Sequence, residues 1–112
     1  MVEITLQPGA QFPWHTHPGP ALVAVIEGDD DGAFVFTYAD DCVDRPYEVG
    51  EAFVDLGQDV HMAHNPSETD ETVVIATFLA APDPDGDDPR LTVPVPAPEG
   101  AALDDQCGVD RG

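Results

Sequence analysis

From Val2 to Leu79 the chain consists of short runs of alternating apolar and polar residues, rich in Val, Ile, Thr and Phe, and a turn signal interrupts them every eight to twelve residues. A period of two is the strand period and not the helix period. The runs that keep it are Val2–Gln7, Phe12–His17, Ala21–Glu27, Ala33–Tyr38, Tyr47–Val49, Ala52–Asp55, Val60–Asn65 and Thr72–Leu79. Between them, Pro8-Gly9, Pro18-Gly19-Pro20, Gly28 to Gly32, Asp40 to Pro46, Gly57 and Asn65-Pro66-Ser67 supply the backbone angles that reversals need. No stretch reads as a helix. The pattern predicts an all-β fold, a small antiparallel barrel or sandwich, and 112 residues suffice for one such domain.

The composition changes after Ala80. Pro82, Pro84, Pro89, Pro94, Pro96 and Pro98 break any ladder, so residues 1–80 are expected to form the barrel. Residues 81–112 are expected to form an extended C-terminal arm anchored by Leu91, Val93 and Val95 on the barrel or a second copy, with the last dozen residues loosely ordered. Cys42 and Cys107 are read as free thiols, because the start, Met1 to Leu6, has neither the basic nor the apolar region of an export signal. On that reading the chain is soluble and cytoplasmic.

Charge narrows the partners. The 23 Asp and Glu outnumber the 3 Arg, there is no Lys, and the net charge is −20. Such a chain cannot present a basic patch, so nucleic acid and anionic membrane are excluded as partners. Sixteen of the 23 acids are Asp, gathered in loops such as Asp29-Asp30-Asp31. A merely soluble surface mixes both signs, and in one so uniformly negative self-repulsion is expected to destabilise the compact state unless salt screens it. The composition is similar to that of proteins from salt-loving archaea, and a halophilic surface is expected.

All four histidines fall in two segments, His15-Thr16-His17 and His61-Met62-Ala63-His64. On a strand, His15 and His17 point to one face, a poor structural pairing of buried polar rings but a good half of a transition-metal site. His61 and His64 differ in parity, so at most one of them joins that face.

These segments resemble the two motifs of the cupin family, G-x5-H-x-H-x3,4-E-x6-G and G-x5-P-x-G-x2-H-x3-N. Gly9, His15, His17 and Gly28 match the first; Gly50, His61 and Asn65 match the second, with Leu56 and Gln58 in place of its proline and second glycine. The resemblance covers roughly Val2 to Leu79 and implies a small single-domain cupin, a double-stranded β-helix or jelly roll. It selects His61 over His64 and implies that His15, His17 and His61 bind one divalent transition metal, whether iron, manganese, zinc, nickel or cobalt. Ala21 stands where the family has its glutamate, and Glu27, six positions on, cannot replace it. The implied site is therefore all-histidine, with the metal keeping its full +2 charge for an anionic, chelating ligand.

Parity places Ala21, Val23, Val25, Phe34, Phe36, Phe53, Ala63, Asn65 and Phe78 around such a site. Tyr38, Tyr47 and Gln58 are the nearby polar candidates, each read as structural, and Trp14 is read as a packing residue or a dimer contact. An apolar pocket around a metal with open positions suits an oxygenase, of the non-heme iron dioxygenase type, acting on a small enolisable or phenolic substrate. The alternative is a non-catalytic module that binds or senses a small ligand. The exposed edges of so short a barrel suggest a homodimer.

Overall fold

The computed structural model describes residues 2–17, 19–57, 59–79 and 93–109. Its elements in chain order are β1 (Val2–Leu6), β2 (His15–Thr16), β3 (Ala21–Glu27), β4 (Phe34–Tyr38), β5 (Asp44–Tyr47), β6 (Ala52–Asp55), β7 (His61–His64), β8 (Thr72–Phe78), β9 (Val93–Pro94) and α1 (Ala97–Cys107). They form two antiparallel sheets, ordered β1-β8-β3-β6 and β5-β4-β7-β2-β9. The all-β architecture follows from the alternation: on β3, Ala21, Val23 and Val25 are buried while Leu22 and Ile26 face out. Val23, Val25, Val74 and Ala76 from one sheet meet Phe34, Phe36 and Ala63 from the other in a single apolar cluster. Each large side chain buried there stabilises the fold by about 1.5–3 kcal/mol.

Apart from one-residue shifts at strand ends, two strands differ from their expected bounds, and Pro94, expected to break any ladder, lies in β9 paired with β2. The strand β2 contains only His15 and Thr16, and Pro13 has no N–H to contribute to a longer ladder. The short strand expected at Tyr47–Val49 is instead Asp44–Tyr47. Pro46, expected in the loop before this strand, is tolerated within it because β5 is an edge strand.

The absence of helix is overturned. Residues Ala97–Cys107 form α1, with Pro98 in its first turn and Gly108 in the left-handed conformation at its end (φ 66°, ψ 34°). No marked apolar stripe announces this helix. Its stability comes from docking: Leu103, Cys107 and Val109 pack on Trp14, Ala39 and Met62, the Trp14 indole N–H donates to Asp104 Oδ1 at 2.8 Å, and the Gln106 amide donates to the Ala39 carbonyl at 3.3 Å. Cys42 and Cys107 are not free thiols but a disulfide, with Cα atoms 5.1 Å apart across 65 positions. The described part of the final dozen residues is thus largely helical, and Trp14 is a packing residue beneath it. Val95 is the anchor of the arm that the structure describes; Leu91 and residues 81–92 lie outside the described residues, as do Gln58 and residues 110–112.

Asn65 is buried but does not line the interior. Its amide N–H groups donate to the Leu6, Gln7 and Asp70 carbonyls and its Oδ1 accepts from the Ser67 N–H, so it ties the β7–β8 loop to the end of β1. No helix among the described residues is long and apolar enough to cross a membrane.

Among the described acids only Asp55 is buried; the others are exposed or half-buried. Raising KCl from about 0.1 M to about 1 M shortens the Debye length from about 10 Å to about 3 Å and removes most of the repulsion among them. The expected result is a melting temperature higher by on the order of 10 °C, equivalent to about 2 kcal/mol. Scanning calorimetry across a KCl series checks this, and a flat profile would contradict a salt-adapted surface.

Candidate metal centre

β2 and β7 are hydrogen-bonded neighbours with His15 directly opposite His61. The alternation along β2 then brings His17 to the same inner face. All three rings are buried, their centroids lie 4.3–4.9 Å apart, and one ligating atom of each falls within 4.8 Å of the others. His64 stands at opposite parity on β7 and is not part of the cluster.

Two of the rings have an assigned tautomer. The Nδ1 atoms of His15 and His61 each lie 2.7 Å from a backbone carbonyl, of Pro13 and Asp59 respectively. A carbonyl only accepts, so both Nδ1 atoms carry the proton and both Nε2 atoms keep a lone pair in the neutral ring. This is how metal-binding imidazoles are oriented from behind. Phe36 stacks on the His61 ring at 4.9 Å and 25°, fixing its plane.

A fourth polar group lies against two of the three rings. Asp55, at the end of β6 and 3% exposed, places Oδ2 3.2 Å from His17 Nε2 and 3.1 Å from His61 Nε2. Its Oδ1 accepts from the Gly57 N–H at 2.8 Å, and the Gly57 carbonyl accepts from the His17 N–H at 2.7 Å. Gly57 thus clips Asp55 to the histidine strand. Its φ of 81°, and the overlap that a Cβ would make with the Gly19 carbonyl, explain the glycine. Burial opposes the charge on Asp55, yet contacts from His17 and His61 and the Gly57 N–H outweigh it and hold the carboxyl well below its usual range.

The polar cluster sits in a cavity of about 240 Å³ between the two sheets. All five phenylalanines of the chain, Phe12, Phe34, Phe36, Phe53 and Phe78, line it. Phe12 lies ahead of its strand and is the aromatic that parity alone does not assign. Tyr38 and Tyr47 are structural: the Tyr38 hydroxyl accepts from the Leu56 N–H, and Tyr47 stacks on Phe53 at 4.1 Å. Ala21, Val23 and Ala63 line the wall as expected, whereas Val25 packs deeper in the core.

No family model and no curated protein matches the sequence. Solved structures do match. The polyketide cyclase RemF from Streptomyces resistomycificus superposes with a TM-score of 0.62 at 16% identity over 93% of this chain and 65% of its own. A cupin domain from Bordetella pertussis Tohama I gives 0.55 at 22% identity, over 70% and 78% of the two chains. A predicted oxalate decarboxylase from Thermotoga maritima gives 0.51 at 23%, over 69% and 64%. The chain has the cupin fold. It spans somewhat less than two thirds of the RemF and Thermotoga chains.

Within this cupin fold, His15, His17 and His61 come together as the sequence motifs imply, and the three buried histidines could hold a metal ion. The Asp55 carboxylate, lying against His17 and His61, is a polar neighbour that the sequence motifs do not assign. A signal for Asp55 was present: Phe53 and Asp55 share parity on a strand expected to face inward, and a carboxylate at an inward position is rarely buried without a partner.

Burial lowers the His15 pKa from 6.5 to about 4, with the neighbouring His61 and His17 rings adding to it against the Pro13 carbonyl and Asp55. In metal-free protein, the unfolded state therefore holds more protons than the folded one between those values, so stability falls as pH drops through that window. The loss reaches about 3 kcal/mol at most. Asp55, with its pKa lowered, adds to the loss only below the ordinary carboxylate value of 3.8. Urea midpoints of chelator-treated protein between pH 7 and pH 4 are expected to decline steadily, and a constant midpoint would contradict the burial of His15.

Proposed function

We propose that His15, His17 and His61 bind one divalent transition metal (iron, manganese, zinc, nickel or cobalt) and that the cavity takes a small, chelating, enolisable or phenolic compound on which the protein acts as an enzyme. One observation carries the reading: the two inward Nε2 lone pairs are fixed by backbone carbonyls behind His15 and His61, inside a buried apolar cavity. The orphaned His61 Nε2, buried and without a hydrogen bond, fits a site made to receive a cation.

When bound, the metal supplies Lewis acidity toward the oxygens of an enolate and, if it is iron, redox capacity toward dioxygen. The chain's own groups do the rest. The Pro13 and Asp59 carbonyls keep the imidazole lone pairs directed inward, and the five phenylalanines exclude water and offer flat faces to a planar ligand. Asp55 reduces the positive charge of the site. RemF is described as a polyketide cyclase, and polyketides are enolisable polycarbonyl compounds, which supports this ligand class; oxygenase chemistry is the reaction we assign first. The second reading, a binding or sensing module, is favoured by a different observation. Among the described cavity residues, the three histidines and Asp55 are the only acid or base groups, and all four lie in the cluster itself.

The test uses untagged protein purified in high salt, stripped with chelator and reloaded. Acetylacetone and simple catechols should give metal-dependent ultraviolet difference spectra that vanish in His61→Ala. Absence of any metal-dependent signal would overturn the reading. Oxygen consumption by iron-loaded protein with a bound ligand would establish the oxygenase, and binding without turnover under any metal would establish the module.

A further inference from the structure

The position of Asp55 relative to Ala21 has a chemical meaning. β3 and β6 are antiparallel neighbours, and Ala21 and Asp55 are directly opposed in their register. Opposed residues on such a pair project to the same face with Cβ atoms about 4.5–5.5 Å apart. Both line the cavity, and Ala21 is 1% and Asp55 3% exposed. The methyl group at Ala21 leaves room that a longer side chain would fill, and the carboxylate of its cross-strand partner reaches the histidines.

The contact between Asp55 and His61 then decides what the carboxylate does. With Nδ1 turned to the Asp59 carbonyl, His61 directs Nε2 at Oδ2 from 3.1 Å. A carboxylate oxygen and a ring nitrogen this close in a buried site repel unless a proton or a cation lies between them, so the pair marks a position made for positive charge. A cation shared by Nε2 and Oδ2 removes the repulsion. The same Oδ2 faces His17 Nε2 at 3.2 Å, while Oδ1 is already occupied by the Gly57 N–H. One oxygen of the carboxylate is thereby left for the position toward which the histidines converge.

We infer that Asp55 is the carboxylate ligand of the metal centre, transferred from the β3 position held by Ala21 to its cross-strand partner on β6. The inference rests on the metal-binding reading above. It makes the site three histidines and one carboxylate, and lowers the formal charge of a divalent centre to +1. A chelating monoanion then leaves the loaded pocket neutral, which suits its apolar walls better than a residual positive charge. Gly57 acts here as a positioning residue, through its N–H to Asp55 and its carbonyl to the His17 backbone.

The test titrates Co(II) into chelator-stripped protein and follows affinity and the visible absorption bands. Asp55→Asn keeps the shape and an oxygen for the Gly57 N–H, and is expected to weaken Co(II) by about 100-fold or more and to change the bands. Asp55→Ala combined with Ala21→Glu returns a carboxylate from the opposite strand and is expected to recover most of the affinity. Circular dichroism of each variant confirms the fold. Equal Co(II) affinity and an unchanged spectrum in Asp55→Asn would overturn the inference while leaving the three-histidine reading intact. Failure of the unsubstituted protein to bind Co(II) would overturn both.

Discussion

Reduction of the Cys42–Cys107 disulfide lowers the unfolding free energy by about 4 kcal/mol, the loop-closure value for a bridge that spans 65 positions. For a domain of this size that is a fall in melting temperature of roughly 15 °C. The effect falls on α1 in particular. Eleven residues are too few for an isolated helix to be stable in water, and this one has little apolar stripe of its own. Beyond the bridge, it is held by Leu103 and Val109 against the Trp14 cluster and by the Trp14–Asp104 and Gln106–Ala39 hydrogen bonds. Melting curves with and without dithiothreitol, alongside a Cys42→Ser/Cys107→Ser variant, check the prediction. Coincident curves would show that the bridge adds nothing to the docked helix. Because Trp14 precedes His15 in the chain, loosening α1 also frees the entry to β2, and tryptophan fluorescence reports that change directly.

Metal loading raises the melting temperature of the unsubstituted protein and not that of His15→Ala or His61→Ala. A ligand present at 1,000 times its dissociation constant stabilises the folded state by about 4 kcal/mol, and a transition metal at micromolar excess over a three-histidine site reaches that regime. Each alanine variant removes an Nε2 lone pair held inward by a backbone carbonyl, so the stabilisation disappears together with stoichiometric metal. His64→Ala retains both, since His64 lies on the other face of β7. Elemental analysis and thermal shift on the same four samples provide the check. Loss of metal in His64→Ala, or retention in His61→Ala, would place the site elsewhere.

These results connect the acidic surface with the site. The exposed carboxylates are expected to be an adaptation to salt, as the KCl series tests, whereas among the described acids the single buried one lies against the histidines. An anionic ligand must approach against the field of a chain of net charge −20, so high salt is expected to assist binding as well as folding.

By itself, the sequence determined the local features. Strand parity is a property of neighbouring residues, so β3 and β6 were legible to the residue and His15 and His17 could be set on one face, while the resemblance to the cupin motifs selected His61 over His64. The same parity marked four of the five cavity phenylalanines. What it left open depends on which distant segments become neighbours. The disulfide and α1 required docking of the C-terminal segment on Trp14, Ala39 and Met62, which no periodicity within Ala97–Cys107 announces. The fourth polar group of the site required the register of β3 against β6, because only that register sets Asp55 opposite Ala21. Read along the chain, Ala21 is a missing carboxylate; only the tertiary structure, by pairing strands some thirty residues apart, sets a carboxylate opposite it.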